Sequence, residues 1–141
     1  MKSIATKSLS LILALLFLFS LAACNSVKKE GLWEDATHLS DKEFGKGEKT
    51  LTVEVTAEDQ TVTFKVHTDK ETVGEALLEH ALIEGEDGPY GLYIKKVNGI
   101  TADFDADQTY WAFYENENYA MTGVDTTKIN EDVVYRLVHT K

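Results

Sequence analysis

Two runs of strict alternation constrain this chain more than anything else in it. Leu51, Val53 and Val55 alternate with Thr52, Glu54 and Thr56, and Val62, Phe64 and Val66 alternate with Thr61, Thr63, Lys65 and His67. A two-residue period places all the apolar side chains of a strand on one face, so each run predicts a strand buried on one side. Only Ala57-Glu58-Asp59-Gln60 separates them, which makes the pair a hairpin. The rest of the fold has to cover that apolar face.

A helix is the first element available to do so. Thr72-Val73-Gly74-Glu75 has the form of a capping box, in which Thr72 accepts from the Glu75 amide and the Glu75 side chain reaches back. Val73, Ala76, Leu77, Ala81 and Leu82 share one helical face, predicting a helix over about 73–82. The acidic, glycine-rich stretch from Glu84 to Pro89 reads as a loop. A third strand is expected from Tyr90 to Val97, ended by the turn Asn98-Gly99, whose residues both tolerate positive φ. Thr109 to Glu115 forms an aromatic strand with Trp111 and Phe113 on one face and Tyr110, Ala112 and Tyr114 on the other. A short strand is expected within Tyr119 to Val124. Val133 to His139 closes the series, apolar on both faces and therefore central. The expected class is α+β: a β-grasp-like small mixed sheet with one helix packed on one face.

The other end of the chain carries a processing signal. Lys2 and Lys7 precede the apolar run Leu11 to Phe19, which is far shorter than the roughly 20 residues needed to span a bilayer. The run leads into Leu21-Ala22-Ala23-Cys24, which looks like a bacterial lipobox and contains the only cysteine of the chain. Residues 1–23 are thus expected to be a lipoprotein signal peptide, and Cys24 to become a lipidated N-terminus. Residues 24–48 read as a flexible tether with scattered Trp33, Leu39 and Phe44, and 49–141 as the folded domain. The expected location is the cell membrane, facing outward, held by the lipid. With a single cysteine there is no disulfide framework and no thiolate zinc site. A net charge of -10 argues against nucleic acid as a partner, and an acidic body is not drawn to anionic headgroups.

The order of motifs carries a resemblance. Gly91-Leu92-Tyr93-Ile94-Lys95-Lys96-Val97-Asn98-Gly99-Ile100 is followed by Tyr110-Trp111-Ala112-Phe113, then Met121-Thr122-Gly123-Val124-Asp125, then Glu131-Asp132 leading into the last strand. From about Leu51 to Val138 this resembles the C-terminal β-domain of transcobalamin and intrinsic factor, and the bacterial transcobalamin-like lipoprotein domains of unknown function. In the animal carriers an α-barrel domain and this β-domain grip cobalamin between them, and the chain carries the β-half. The resemblance implies a surface lipoprotein that binds a corrinoid or similar cofactor and delivers it to a membrane importer component. A non-catalytic protein–protein interaction module on the cell surface is the alternative.

Tyr90, Tyr93, Tyr110, Trp111, Phe113, Tyr114 and Tyr119 fall within thirty residues, and such side chains combine apolar area with a polar tip. Tyr93, Tyr110, Tyr114, Tyr119 and Met121 are the expected ligand-binding residues, and Trp111 and Phe113 the structural aromatics. No catalytic residues and no resident metal are expected. Asp103, Asp105 and Asp107 have the spacing of calcium ligands, but Gln108 follows where glycine is required and Tyr114 stands where the closing glutamate belongs, so the stretch reads as an acidic turn. His38, His67, His80 and His139 are dispersed, without paired spacing for zinc. No serine, threonine or cysteine sits in a nucleophile motif, so an enzyme is not expected.

Overall fold

The computed structural model describes residues 26–141; the expected signal peptide and Cys24 lie outside the described residues. The two alternating runs form β2 (Lys49–Ala57) and β3 (Gln60–Thr68), paired antiparallel through nine registered positions from Lys49↔Thr68 to Ala57↔Gln60. β9 (Val134–Thr140) lies parallel to β2 on its other side and antiparallel to β7 (Tyr110–Glu115). The full order of this six-stranded sheet is β1-β3-β2-β9-β7-β8, with β1 at Lys42–Gly45 and β8 at Asn118–Tyr119. The last strand is central, as expected. Only its Tyr135–Leu137 face is fully buried, while Val134, Arg136 and Val138 are half-buried on the other.

The helix α1 spans Val73–Glu79, three residues shorter than its apolar pattern, and its capping box is formed in full. Its first amides are all engaged. Val73 N–H donates to Thr127 O at 2.9 Å, Gly74 N–H to Val124 O at 2.8 Å and Glu75 N–H to Thr72 Oγ1 at 3.2 Å. Groups that a helix start normally leaves orphaned thus bind α1 to the chain around Val124. A Cβ on Gly74 would sit 3.0 Å from the Asp125 backbone, so the approach depends on glycine.

Three expectations need correction. First, the stretch from Glu84 to Pro89 is not a loop: β4 (Ile83–Gly88) pairs with β5 (Gly91–Val97), and β6 (Ile100–Thr101) completes a second, three-stranded sheet. Its acidic residues are all exposed on an edge strand, which removes the alternation that would announce a strand. Second, the acidic stretch after Asp103 is the one-turn helix α2 (Phe104–Asp107), capped by Asp103 Oδ1, which accepts from the Asp105 and Ala106 amides. Third, residues 26–48 are not a free tether. Gly31–Asp35 is a 3₁₀ turn that buries Trp33 completely, and β1 adds to the edge of β3 in parallel.

The physical reason is a set of clamps spread thinly along that segment. The Trp33 indole N–H donates to Ala57 O at 2.9 Å. The Gln60 amide side chain exchanges two bonds with the Lys28 backbone, at 2.6 and 3.0 Å. Asn98, in the expected turn with φ +50, does the same for His38, at 2.9 and 2.8 Å.

His38 gives this docked segment a pH dependence. Its ring meets the edges of Phe44 and Phe64 at 5.2 and 5.8 Å. Burial, and then the nearby Lys42 charge, hold its pKa below the usual histidine value. A base with a depressed folded pKa takes up its proton more readily when unfolded, so its contribution is lost as pH falls below about 6.5. Trp33 fluorescence and amide exchange at Val27 and Thr37 are expected to show the segment loosening below that pH. His38→Gln should flatten the response; an unchanged pH profile in that variant would refute the assignment.

Candidate functional site: an aromatic cleft between the sheets

The two sheets meet along β5 and β7, and there the chain opens a cleft of about 330 Å³. Its floor is Trp111 and Phe113, which point from β7 toward the core as their alternation requires. Trp111 donates its indole N–H to Ile100 O at 3.3 Å and meets the His139 ring edge-on at 5.2 Å, while Phe113 stacks on Tyr135. One wall is β5 with Leu92, Tyr93 and Ile94; the other is the strand end and corner from Tyr119 to Val124. Val124 O receives the Gly74 amide and Ala120 N–H donates to Phe113 O at 2.9 Å, so both ends of that corner are fixed. Tyr90 and Met121 stand at the mouth, 96% and 95% exposed.

Of the residues singled out in the sequence, Tyr93, Tyr110, Tyr119 and Met121 line this cleft. Tyr114 does not. It faces the open side of the large sheet, where the Arg136 guanidinium lies 5.8 Å above its ring, and it reaches the site only by an edge contact with Tyr119 at 5.3 Å. Arg136 in turn ion-pairs with Glu54 and Glu117, at 3.3 and 3.4 Å. Trp111 and Phe113 are structural as expected and are also the cleft floor. Sequence reasoning missed the corner Thr122-Gly123-Val124 and Leu92; the corner was visible only as part of a family pattern. A larger, more polar hollow of about 700 Å³ lies around Asn130–Val133, without a convergent set of aromatic groups.

Among the described residues no group of three or more His, Cys, Asp or Glu converges to hold a metal ion. The acids of α2 are used locally: Asp107 accepts from the Thr109 amide and hydroxyl, and these bonds hold its pKa below the ordinary carboxylate value. No described helix is long and apolar enough to cross a membrane.

A helix beside a hairpin whose first strand runs parallel to the last, joined to a small second sheet across an aromatic cleft, gives this domain a transcobalamin-like fold. The comparisons with known proteins agree. Residues 70–134 match the model of a domain of unknown function, DUF4430. A candidate metal binding protein from Ruminococcus gnavus, solved by crystallography, is 34% identical with a TM-score of 0.62, covering 67% of this chain and 98% of that one. Haptocorrin in complex with Cbi shares the fold at 15% identity, with a TM-score of 0.53 over 70% of this chain. The chain corresponds to 27% of haptocorrin's length. No curated protein matches. The chain belongs to the same family as the Ruminococcus gnavus protein, and its residues 70–134 carry the DUF4430 pattern. The two solved relatives are named for what they bind, not for catalysis.

Proposed function

We propose that this protein is a lipid-anchored, outward-facing binding protein whose aromatic cleft takes a corrinoid or a similar flat cofactor and passes it to a membrane importer. The observation that carries the reading is the cleft itself: an apolar floor of Trp111 and Phe113, with Tyr93, Tyr110 and Tyr119 among the residues that line it. Such a surface suits a macrocycle with an apolar face and a polar fringe. The fold likeness to haptocorrin in complex with Cbi supports the ligand class, and Leu21-Ala22-Ala23-Cys24 supports the anchor. The cleft is open on one side, so an affinity on the order of micromolar is expected, about -8 kcal/mol.

Titration with cobinamide and cobalamin, followed by absorbance and calorimetry, tests this. Tyr119→Ala and Met121→Ala should each weaken binding about three- to tenfold, and Tyr114→Ala should do less, because it stands behind Tyr119. No heat or spectral change with either compound at ~100 μM, well above that dissociation constant, rejects the corrinoid reading. The exposed Tyr90 and Met121 would then mark a contact surface for another protein. The anchor has its own check: Cys24→Ser should remain uncleaved and fail to label with a fatty-acid probe.

A further inference from the structure

Beside the cleft lies a second concavity with a different character. It measures about 370 Å³, is open to solvent, and is lined by three aromatic side chains: Tyr93 from β5, Phe104 from α2 and Tyr110 from β7. Three different elements thus contribute one aromatic side chain each to this space. Phe104 is 55% exposed, an unusual position for phenylalanine, and α2 holds it there although that helix has no buried residue.

The charges around this space are mainly negative. Asp103 and Asp105 flank Phe104 in the chain, and Glu86 is the cross-strand partner of Tyr93. The neighbouring cation, Lys95, is held by Glu86 at 3.3 Å. That contact, with Asp103 and Asp105 acting at longer range, keeps its pKa above the ordinary lysine value. Asp103 and Asp105 thus add negative charge near this space, on a protein of net charge -10. Aromatic faces are the negative side of the ring quadrupole, and several of them around one point attract a cation that is too weakly hydrated to prefer water.

We propose that Tyr93, Phe104 and Tyr110 form an aromatic cage for a small organic cation of the quaternary-ammonium type. The cage shares Tyr93 and Tyr110 with the cleft, but Phe104 belongs to it alone and Met121 to the cleft alone. The two sites can therefore fail separately.

The test uses choline and its uncharged isostere 3,3-dimethylbutan-1-ol, added to the full chain in a non-ionic detergent, with the aromatic NMR signals of the three residues as readout. Choline should shift all three with a dissociation constant in the low millimolar range (~1–10 mM), and the isostere should bind about tenfold more weakly. Phe104→Ala should abolish the choline response while leaving cobinamide binding unchanged. Asp105→Asn, which removes a charge without touching the α2 cap, should weaken choline about twofold, and added salt should act in the same direction. Equal shifts from choline and the isostere would show a plain apolar hollow and overturn the proposal, as would no shift at ~50 mM choline. Failure of cobinamide to bind, with the choline response intact, would reject the cleft reading and leave the cage standing.

Discussion

Trp33→Ala is expected to lower the stability of the domain by about 3–5 kcal/mol, the cost of truncating a fully buried aromatic. Trp33 has no exposed surface, belongs to the same core cluster as Phe64, Leu77 and Ile100, and donates its indole N–H to Ala57 O at 2.9 Å. Removing it empties a cavity at the turn end of the β2–β3 hairpin and also leaves that carbonyl without its partner. Trp33→Phe narrows the comparison: it keeps most of the volume and loses the hydrogen bond and part of the ring, for about 1–2 kcal/mol. Deleting residues 26–46 should be at least as damaging as Trp33→Ala, because β1 and the His38–Asn98 clamp go with it. Urea unfolding measures all three variants. A Trp33→Ala protein within about 1 kcal/mol of the parent would mean that the segment is dispensable and that the domain begins near Lys49.

Trp111→Ala is expected to cost a similar amount, about 3–5 kcal/mol, and to abolish the cleft. Trp111 ties the sheets together: it stands on β7, packs edge-on to His139 of β9, and hydrogen-bonds to Ile100 of β6 in the smaller sheet. Loss of ligand binding in this variant would therefore report unfolding rather than a lost contact. Trp111→Phe keeps the core filled, so binding measured in that variant reads the contact itself. A fully stable Trp111→Ala protein with no cobinamide affinity would move Trp111 from the core to the ligand surface alone.

The elements most legible in the sequence are those whose burial follows a clean period. The β2–β3 hairpin, the capped start of α1, the Asn98-Gly99 turn and the inward pair Trp111 and Phe113 all take their expected places, because local conformation and core position demand the same residues there. The segment before Lys49 was illegible for the opposite reason. Its attachment rests on one buried tryptophan, the four-residue edge strand β1 and a few side-chain-to-backbone bonds reaching 24 to 60 residues away, which leave no periodic trace. β4 was hidden because its acidic residues face solvent on an edge. Most of the cleft could be assembled from the aromatic residues, but alternation along β7 could not show that Tyr114 turns away to Arg136, nor that α2 brings Phe104 beside Tyr93 and Tyr110. Those placements depend on how two sheets meet.

The docked N-terminal segment changes how the proposed lipid would position the protein. A free stretch from Cys24 to Lys49 would let the domain wander roughly 25–30 Å from its anchor. Yet Ser26 is already bridged to Ser40, and Lys28 is bonded to the hairpin turn, so only Asn25 stands in the chain between Cys24 and the folded body. Two peptide steps reach about 7 Å. The molecule would be moored rather than leashed, with one end held against the bilayer. That end is set by the register: Gln60 at the hairpin turn, Thr140 at the finish of β9 and Tyr110 at the start of β7 all lie at the same end of the strands of the large sheet. The Tyr110 end would then look toward the membrane and the Tyr119 end away from it, a fixed polarity for anything arriving from outside and leaving inward.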